Sequence, residues 1–600
     1  MVQIFRKINA LLDGRDRLEF SLIIVLTLVG AIAETLGVGV IPSFVGLLGS
    51  AKALQEVGIV GWAYDLAGFN DYRVFVQWAC VALMGLYIGK NSYLAWLSYL
   101  QIRFIYRKQC KVSQRLLSRY LQQPYTFHLE HNTADLQRNI NVEIPNLFNE
   151  VMRDVMILLT ESLIALCITL LLLLAEPLST LIAVSLLGIA MLVFYQGFRR
   201  RIELWGRRQH RHVGRMIRWV SQGLGSLKET KVLGREPYFL ERYSFHVERY
   251  TDATRQLQFV NKLPRLFIET LAVVCLLLVL MVDLSQGRRP RSLLLLLSLF
   301  AVAAFRLMMS LNRIVAAVTT IRFYSEALDA VYQDLTQVHG EDNFSALRES
   351  PPAYLPPVCF QQRIVLDRVS YVYPNSKNLA LASISLQIER GEAIGLAGPS
   401  GAGKTTLVDV LLGLLQPTAG EVLVDGVPVQ RDLAAWQRQL GYIPQQIYLS
   451  DDTIRRNVAF GLADANIDDS RIWQVLRLAQ LEDFVRGLPL RLNSQVGEQG
   501  VRLSGGQRQR IAIARSLYHN PEVVVMDEAT AALDNGTERE IVSAMENLIG
   551  KKTLIVIAHR LSTIRNCDRI YWIRDGAIAD VGTYDDLLAR NREFQAMVGP

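Results

Sequence analysis

"EAIGLAGPSGAGKTTLVDVLLGLL", residues 392–415, decides how the second half of this chain folds. An apolar run suited to a buried strand ends in a glycine-rich turn, and a helix-patterned segment follows at once. That order is the context a phosphate-binding P-loop requires. Gly398, Gly401 and Gly403 let the backbone bend until its N–H groups point inward at phosphate oxygens, with Ser400 and Thr406 completing the loop. The start of the helix adds its dipole. Lys404 is placed to reach the β- and γ-phosphates, and the Thr405 hydroxyl to coordinate Mg2+.

Farther along, "PEVVVMDEAT" (521–530) reads as a buried strand ending in two acids. After a P-loop, this pattern assigns Asp527 to Mg2+ through water and Glu528 to polarising the attacking water. The alternating run that opens this half, "LPPVCFQQRIVLDRVSYVYPNS", places the start of a soluble α/β domain near Cys359.

The first half is different. The 600 residues are 51% hydrophobic and 20% charged, and the long apolar runs are confined to the first 330. Six spans of about 20 residues or more can be drawn, near 19–48, 73–101, 142–174, 178–198, 263–282 and 292–322. The division expected is a membrane domain over 1–330, a linker over 331–358 and the soluble domain over 359–600. An even number of spans puts both termini on one side, and basic clusters such as "FRRRIELWGRRQHRHVGR" make that side cytoplasmic. Arg288, Arg289 and Arg291 then fall outside, against the rule, and are outvoted by the other loops. Segments 102–141 and 199–262 are expected to carry the spans into the cytoplasm. Each should turn back, at "QQPYTFHLEHNTADL" and at "QGLGSLKET".

The net charge of +8 belongs to these juxtamembrane clusters, and a nucleic-acid partner is not expected. The six cysteines are scattered without metal-ligand spacing and read as packing residues. Ile4, Phe5, Ile8, Leu11 and Leu12 recur at helical spacing, which suggests an amphipathic helix on the membrane surface. Segment 49–72, with Trp62 and Tyr64, suggests a short outer helix.

"FRLMMSLNRI" (305–314) puts two arginines in the sixth span. Seven residues fall about 20° short of two turns, so Arg306 and Arg313 share a face. Arg306 lies roughly 21 Å from the outer start of the span. Arg313 lies near the inner interface, where it can snorkel. Lys90 and Arg265 fall at similar depth, and Glu34, Glu161 and Glu269 are acids within spans. Two readings stand. The charges neutralise one another, with Arg265 and Glu269 at i,i+4, or the cations line a water-filled cavity that attracts a phosphate-bearing substrate. The second ranks Arg306 above Arg313.

Between the P-loop and the strand of Asp527 lies "LSGGQ" (503–507), similar to the signature of the ATP-binding-cassette (ABC) ATPases. Tyr373 in "YVYP" resembles the residue that stacks on adenine. Gln445 in "GYIPQQ" resembles the Q-loop glutamine that joins the Mg2+ shell. "SQVGEQG" (494–500) resembles a loop typical of exporters, Asp534 the D-loop aspartate and His559 the switch histidine. Ala531 departs from the serine the family often has. The resemblance implies ATP and Mg2+ as ligands, with Ser504, Gly505, Gly506 and Gln507 binding ATP held by a partner's P-loop. It implies catalytic roles for Glu528, His559 and Gln445.

One six-span unit before one cassette resembles the exporter-type half-transporters, a multi-pass inner or plasma membrane architecture with its ATPase domain in the cytoplasm. The fold expected is therefore a six-span α-helical transmembrane domain of the type I exporter (type IV ABC) kind, followed by an α/β P-loop domain. With every motif intact in one chain, a homodimer is expected; a heterodimer is the alternative. "AETLGVGVIPSFVGLL", "LPRLFIE" and "SLFAVAAFRLMMSLNRI" resemble the PglK-type flippases of lipid-linked oligosaccharides. That resemblance implies a polyprenyl-pyrophosphate-linked glycan carried from inner to outer leaflet, with Lys90, Arg265, Arg306 and Arg313 at its pyrophosphate. Lys90 stands where that family can have arginine. The alternatives are an exporter of peptides, drugs or other lipids such as lipid A, or a non-transporting channel or regulator.

Overall fold

A computed structural model describes residues 2–49, 72–285, 290–337, 359–374, 376–527, 535–558 and 560–598. Two compact units result, Met1–Gln123 with Glu130–Glu349, and Pro124–Leu129 with Ser350–Pro600. The proposed outer helix near 49–72 lies, but for its ends, outside the described residues, as do Arg288 and Arg289.

The first unit is helical throughout. Helix α1 (Val2–Leu11) leads into α2 (Gly14–Gly49), and α3 (Tyr72–Gln122) is continuous over 51 residues, about 76 Å at 1.5 Å per residue. Pro124 cannot continue α3, and two short helices follow, α4 (Tyr125–Glu130) and α5 (Thr133–Arg138), the latter capped by the Asn132 carboxamide. Two π-helical stretches, Asn139–Glu143 and Leu147–Met152, lead into α6 (Arg153–Ala175). Glu176 is extended because a proline follows it, and Pro177 opens α7 (Pro177–Gly225). The Thr180 hydroxyl donates to the carbonyl oxygens of Leu172 and Glu176, fixing that hairpin.

Helix α7 breaks at Ser226 into α8 (Leu227–Val232), inside the predicted turn, and α9 (Glu236–Ser285) returns. Then come α10 (Pro290–Phe323) and α11 (Ser325–Gln337). Among the described residues, five stretches are long and apolar enough to cross a membrane, on α2, α3, α5–α6, α7 and α10. The sixth apolar run lies on α9.

Contacts between these helices follow from small residues and tyrosine tips. The Tyr87 and Tyr93 hydroxyls donate to the Gly37 and Leu26 carbonyls, tying α3 to α2. A Cβ on Gly206 would fall 2.1 Å from the Phe323 carbonyl oxygen, so only glycine allows α7 to cross the end of α10. Helix α1 does not lie free on a membrane surface. Ile8 and Leu12 are buried, and α1 packs on α11 with Lys7 2.5 Å from Asp329. The amphipathic pattern expected for lipid is satisfied in part by protein, since α11 offers an apolar face to Ile8 and Leu12 while Ile4, Phe5 and Leu11 stay half-exposed.

The second unit holds two sheets. An antiparallel sheet has the order β2-β1-β4-β5, from β1 (Arg363–Val372), β2 (Leu379–Glu389), β4 (Ala419–Val424) and β5 (Val427–Pro428). The larger sheet has the order β10-β9-β3-β8-β7-β6, and all its pairs are parallel except β9 with β10. Its strands are β3 (Ala393–Ala397), β6 (Leu440–Ile443), β7 (Val523–Asp527), β8 (Thr553–Ile557), β9 (Arg569–Arg574) and β10 (Ala577–Gly582).

Every residue of β3, β7 and β8 is buried, as a central parallel sheet covered on both faces requires. Alternate residues enter different cores. Val524, Met526, Leu554 and Val556 face the core of helix α13 (Gly505–Tyr518). Ile394, Leu396, Val525 and Ile555 face that of helix α12 (Lys404–Leu411). Each such side chain contributes about 1.5–3 kcal/mol relative to exposure.

Candidate nucleotide site and intramembrane charge cluster

Strand β3 runs into the P-loop and the loop into α12. Gly398 and Gly403 have φ of +150° and +98°, and a Cβ on either would strike a backbone oxygen, Ile573 at 2.1 Å or Ala380 at 2.6 Å. The loop thus packs its backbone against β9 and β2. Lys404 is 5% exposed and its ammonium donates to the carbonyls of Gly398 (2.8 Å) and Pro399 (3.0 Å), so the side chain folds over the loop itself. Ser400, Gly401 and Thr405 are exposed, while Thr406 is buried and shares a 3.0 Å hydrogen bond with the Tyr373 hydroxyl. The Tyr373 ring stands edge-on to Tyr371.

Asp527 ends β7, separated from β3 by β8 alone, and is buried. Strands β6 and β7 run parallel with Ile443 opposite Met526, so Gln445 and Asp527 emerge from the same end of the sheet. Ligands of open α/β sheets bind at that carboxyl end. Asp409 on α12 is pushed up to about 6, first by burial and then by the negative charge of Asp527. The same two causes, with Asp409 added, raise the Tyr442 phenol. A buried carboxylate, Asp527, with the half-buried Asp409, a P-loop and an exposed threonine hydroxyl are a donor set that fits Mg2+ and triphosphate. Glu528, Asp534 and His559 lie outside the described residues.

Ser504 caps α13. Its hydroxyl accepts from the Gln507 N–H at 3.2 Å, and the Gln507 side-chain oxygen accepts from the Ser504 N–H at 2.9 Å. This reciprocal cap leaves the N–H groups of Gly505 and Gly506 directed out of the helix start, a geometry suited to an anion.

In the membrane unit the charges meet one another. Glu34 on α2 accepts from Arg306 Nε at 2.7 Å and lies 2.9 Å from Lys90 Nζ. Arg306 also donates to Glu161 (3.4 Å) and to the Ser310 hydroxyl (3.1 Å), which in turn donates to Glu161 at 2.7 Å. Arg313 closes the chain at 2.6 Å from the other Glu161 oxygen. Four helices contribute. The shared face of Arg306 and Arg313 is as the spacing predicts, with Ser310 on the same stripe.

Exposure separates the two arginines. Arg306 is held on both sides and its side chain is 13% exposed, whereas that of Arg313 is 61% exposed. Arg265 and Glu269 are both exposed and, among the described residues, form no pair with each other. Ser310 was not singled out by the sequence; its signal was the i,i+4 position after Arg306.

The family model for the ABC transporter transmembrane region matches residues 20–313, and that for the ABC transporter matches 381–531. An ATP-dependent lipid A-core flippase of Cupriavidus metallidurans is 30% identical over 485 residues, 80% of each chain. That of Cupriavidus pinatubonensis is 27% identical over 93% of this chain and 92% of its own. A multidrug resistance ABC transporter ATP-binding and permease protein of Lactococcus lactis is 43% identical, over 37% of each chain. Among solved structures, a bacterial Atm1-family ABC exporter with ATP bound superposes with a TM-score of 0.77 at 23% identity, covering 98% of both chains. The chain belongs to the ABC transporters, as a multi-pass exporter half-transporter whose membrane domain is fused to an ATPase domain.

Proposed function

We propose that this exporter uses ATP to flip a phosphorylated glycolipid from the inner to the outer leaflet. The observation that carries the reading is the composition of the intramembrane cluster. Among the described residues, Lys90, Arg306 and Arg313 pair with Glu34 and Glu161 alone, so one positive charge is unmatched, and it falls on the exposed guanidinium of Arg313. A guanidinium binds phosphate through a planar fork that an ammonium lacks. An apolar crevice of about 520 Å3 between α7 and α9, lined by Phe194, Phe198, Leu263 and Phe267 among others, suits a lipid tail.

The PglK-type likeness makes the cargo a polyprenyl-pyrophosphate-linked oligosaccharide. A second reading, a lipid A-like substrate, is favoured by the relatives named lipid A-core flippases. Both present phosphate beside sugar.

At the nucleotide site, Lys404 and the loop N–H groups bind the phosphates, and Tyr373 receives the adenine. Thr405, Asp527 and Gln445 hold Mg2+, which when bound neutralises charge on the β- and γ-phosphates. Glu528 orients and polarises the attacking water, and His559 contacts the γ-phosphate. Asp534, Ser504, Gly505, Gly506 and Gln507 act across a homodimer, each copy completing its partner's site. Segments near 126–135 and 220–232 pass closure of the cassettes to the spans.

The test is reconstitution in vesicles with each glycolipid, scoring ATP-dependent movement of the sugar from one leaflet to the other. Movement of neither lipid, by protein that hydrolyses ATP, ends this reading.

A further inference from the structure

The cytoplasmic extensions of the first unit border an open polar cavity, of about 730 Å3, between α5, α7 and α11. That volume lies within the ~300–1,000 Å3 of small-molecule sites. Its basic lining is Arg138, Arg207, Arg211, Arg215 and Arg218, with His210 beside them. Arg207, Arg211, Arg215 and Arg218 follow one another at intervals of four, four and three, so they form one stripe along α7. Like charges at that spacing repel, and the stripe lowers the stability of α7 unless something negative faces it.

The acids nearby are already engaged. Asp135 accepts from Arg138 (3.2 Å) and Arg218 (3.3 Å). Glu326 pairs with Arg207 at 3.0 Å, Asp329 with Lys7, and Glu143 with His210 at 2.8 Å. Among the described residues, Arg211 and Arg215 make no ion pair or hydrogen bond. The backbone makes room for the cluster. A Cβ on Gly214 would fall 2.4 Å from Arg138 Nη1, so only glycine lets that guanidinium lie across α7.

We propose that this cavity is a binding site for a phosphate or pyrophosphate group, with Arg211 and Arg215 as its principal ligands, and that it receives the phosphorylated headgroup before the lipid enters the spans. The second clause rests on the proposed function; the first does not. Two exposed forks with no carboxylate to neutralise them match a multiply charged oxyanion better than a monovalent one.

The experiment uses the full-length chain in nanodiscs, in a Lys404→Ala background so that the P-loop does not take up the probe. Calorimetry with inorganic pyrophosphate should show saturable binding that added salt weakens. Arg211→Gln with Arg215→Gln should weaken it at least tenfold, and the corresponding lysine pair by less. Arg242→Gln, outside the cavity, should leave it unchanged. Equal affinity in the glutamine pair and its parent overturns the site. If the glutamine pair does not fold, the lysine pair decides, and parental affinity there overturns the role of the forks.

A phosphorylated glycolipid in the nanodisc should raise the apparent Kd for pyrophosphate, while its dephosphorylated form should not. If neither competes, the site serves a free phosphate compound and the headgroup assignment is overturned. Vesicle transport then judges the lipid reading separately.

Discussion

Buried charge is arranged in opposite ways in the two units. In the membrane unit signs alternate, Lys90 to Glu34 to Arg306 to Glu161 to Arg313, and the Ser310 hydroxyl bridges Arg306 and Glu161. In the soluble unit Asp409 and Asp527 are close enough to feel each other's negative charge, and Asp409 is driven toward its neutral form. The first arrangement is complete except at one end; the second is built for a cation to arrive. A charge in hydrocarbon is held only if it is paired, so the membrane unit must neutralise its cluster within the fold. The soluble unit can leave like charges together because ligand binding relieves them.

The largest effect should come from the site that awaits its ligand. Glu528→Gln should lower ATP turnover at least 100-fold while nucleotide binding persists, read by phosphate release and by equilibrium binding of labelled ATP. Turnover at the wild-type rate would remove Glu528 from the chemistry and with it the view that the soluble unit's acids are arranged for catalysis.

Next comes the completed cluster. Glu161 is 3% exposed and holds Arg306, Arg313 and Ser310 together. Glu161→Gln leaves three cations against one carboxylate, with Lys90 and Arg306 sharing Glu34 and Arg313 losing its partner, and removing one partner of a buried pair costs about 3–5 kcal/mol. The midpoint of thermal unfolding in nanodiscs should fall accordingly, and a second substitution, Arg306→Gln, should restore part of the loss. A double variant no better than the single one would show that the pairing is not what holds these helices.

These two sites differ in how much of them a reader of the sequence can see. The P-loop, the strand of Asp527 and the Ser504 cap are each contained in a few consecutive residues, because strand, turn and helix are local geometry. The shared face of Arg306 and Arg313 is also legible, since helical spacing sets it. Which acid meets which cation was not, because Glu34 and Arg306 are 272 positions apart and meet only through the packing of α2 against α10. The same limit applies to α1. Its apolar stripe was readable, but whether lipid or α11 covers it depends on contacts more than 300 positions apart. The stripe on α7 sat within a run read only as juxtamembrane charge. The empty space beside it needed α5 and α11 in place.

The third effect is a dependence on pH at the nucleotide site. With the Asp409 carboxyl raised to about 6, the folded state holds a proton that the unfolded chain has released by about pH 4. The unfolded state therefore binds fewer protons between those values, and stability falls as pH rises from about 4 to 6 and stays lower above. Asp409→Asn should flatten that fall and gain most over the parent at pH 7. The midpoint of unfolding between pH 4.5 and 7 checks it. Parallel curves for the two proteins would mean that Asp527 does not act on Asp409.

The smallest change in stability should come at the open end of the membrane cluster. Arg313 pairs with Glu161, but its side chain is 61% exposed, and exposed pairs contribute at most about 1 kcal/mol. Arg313→Gln should therefore unfold within about 1 kcal/mol of the parent, in contrast to Glu161→Gln on the same ion pair. Its effect should fall on cargo: stimulation of ATP turnover by a phosphorylated glycolipid should drop, and Arg313→Lys should recover only part of it, since the ammonium keeps the charge but not the fork. Full stimulation in Arg313→Gln would mean that the unmatched charge is not a ligand, and would leave the cluster a purely structural counterpart to the acids of the nucleotide site.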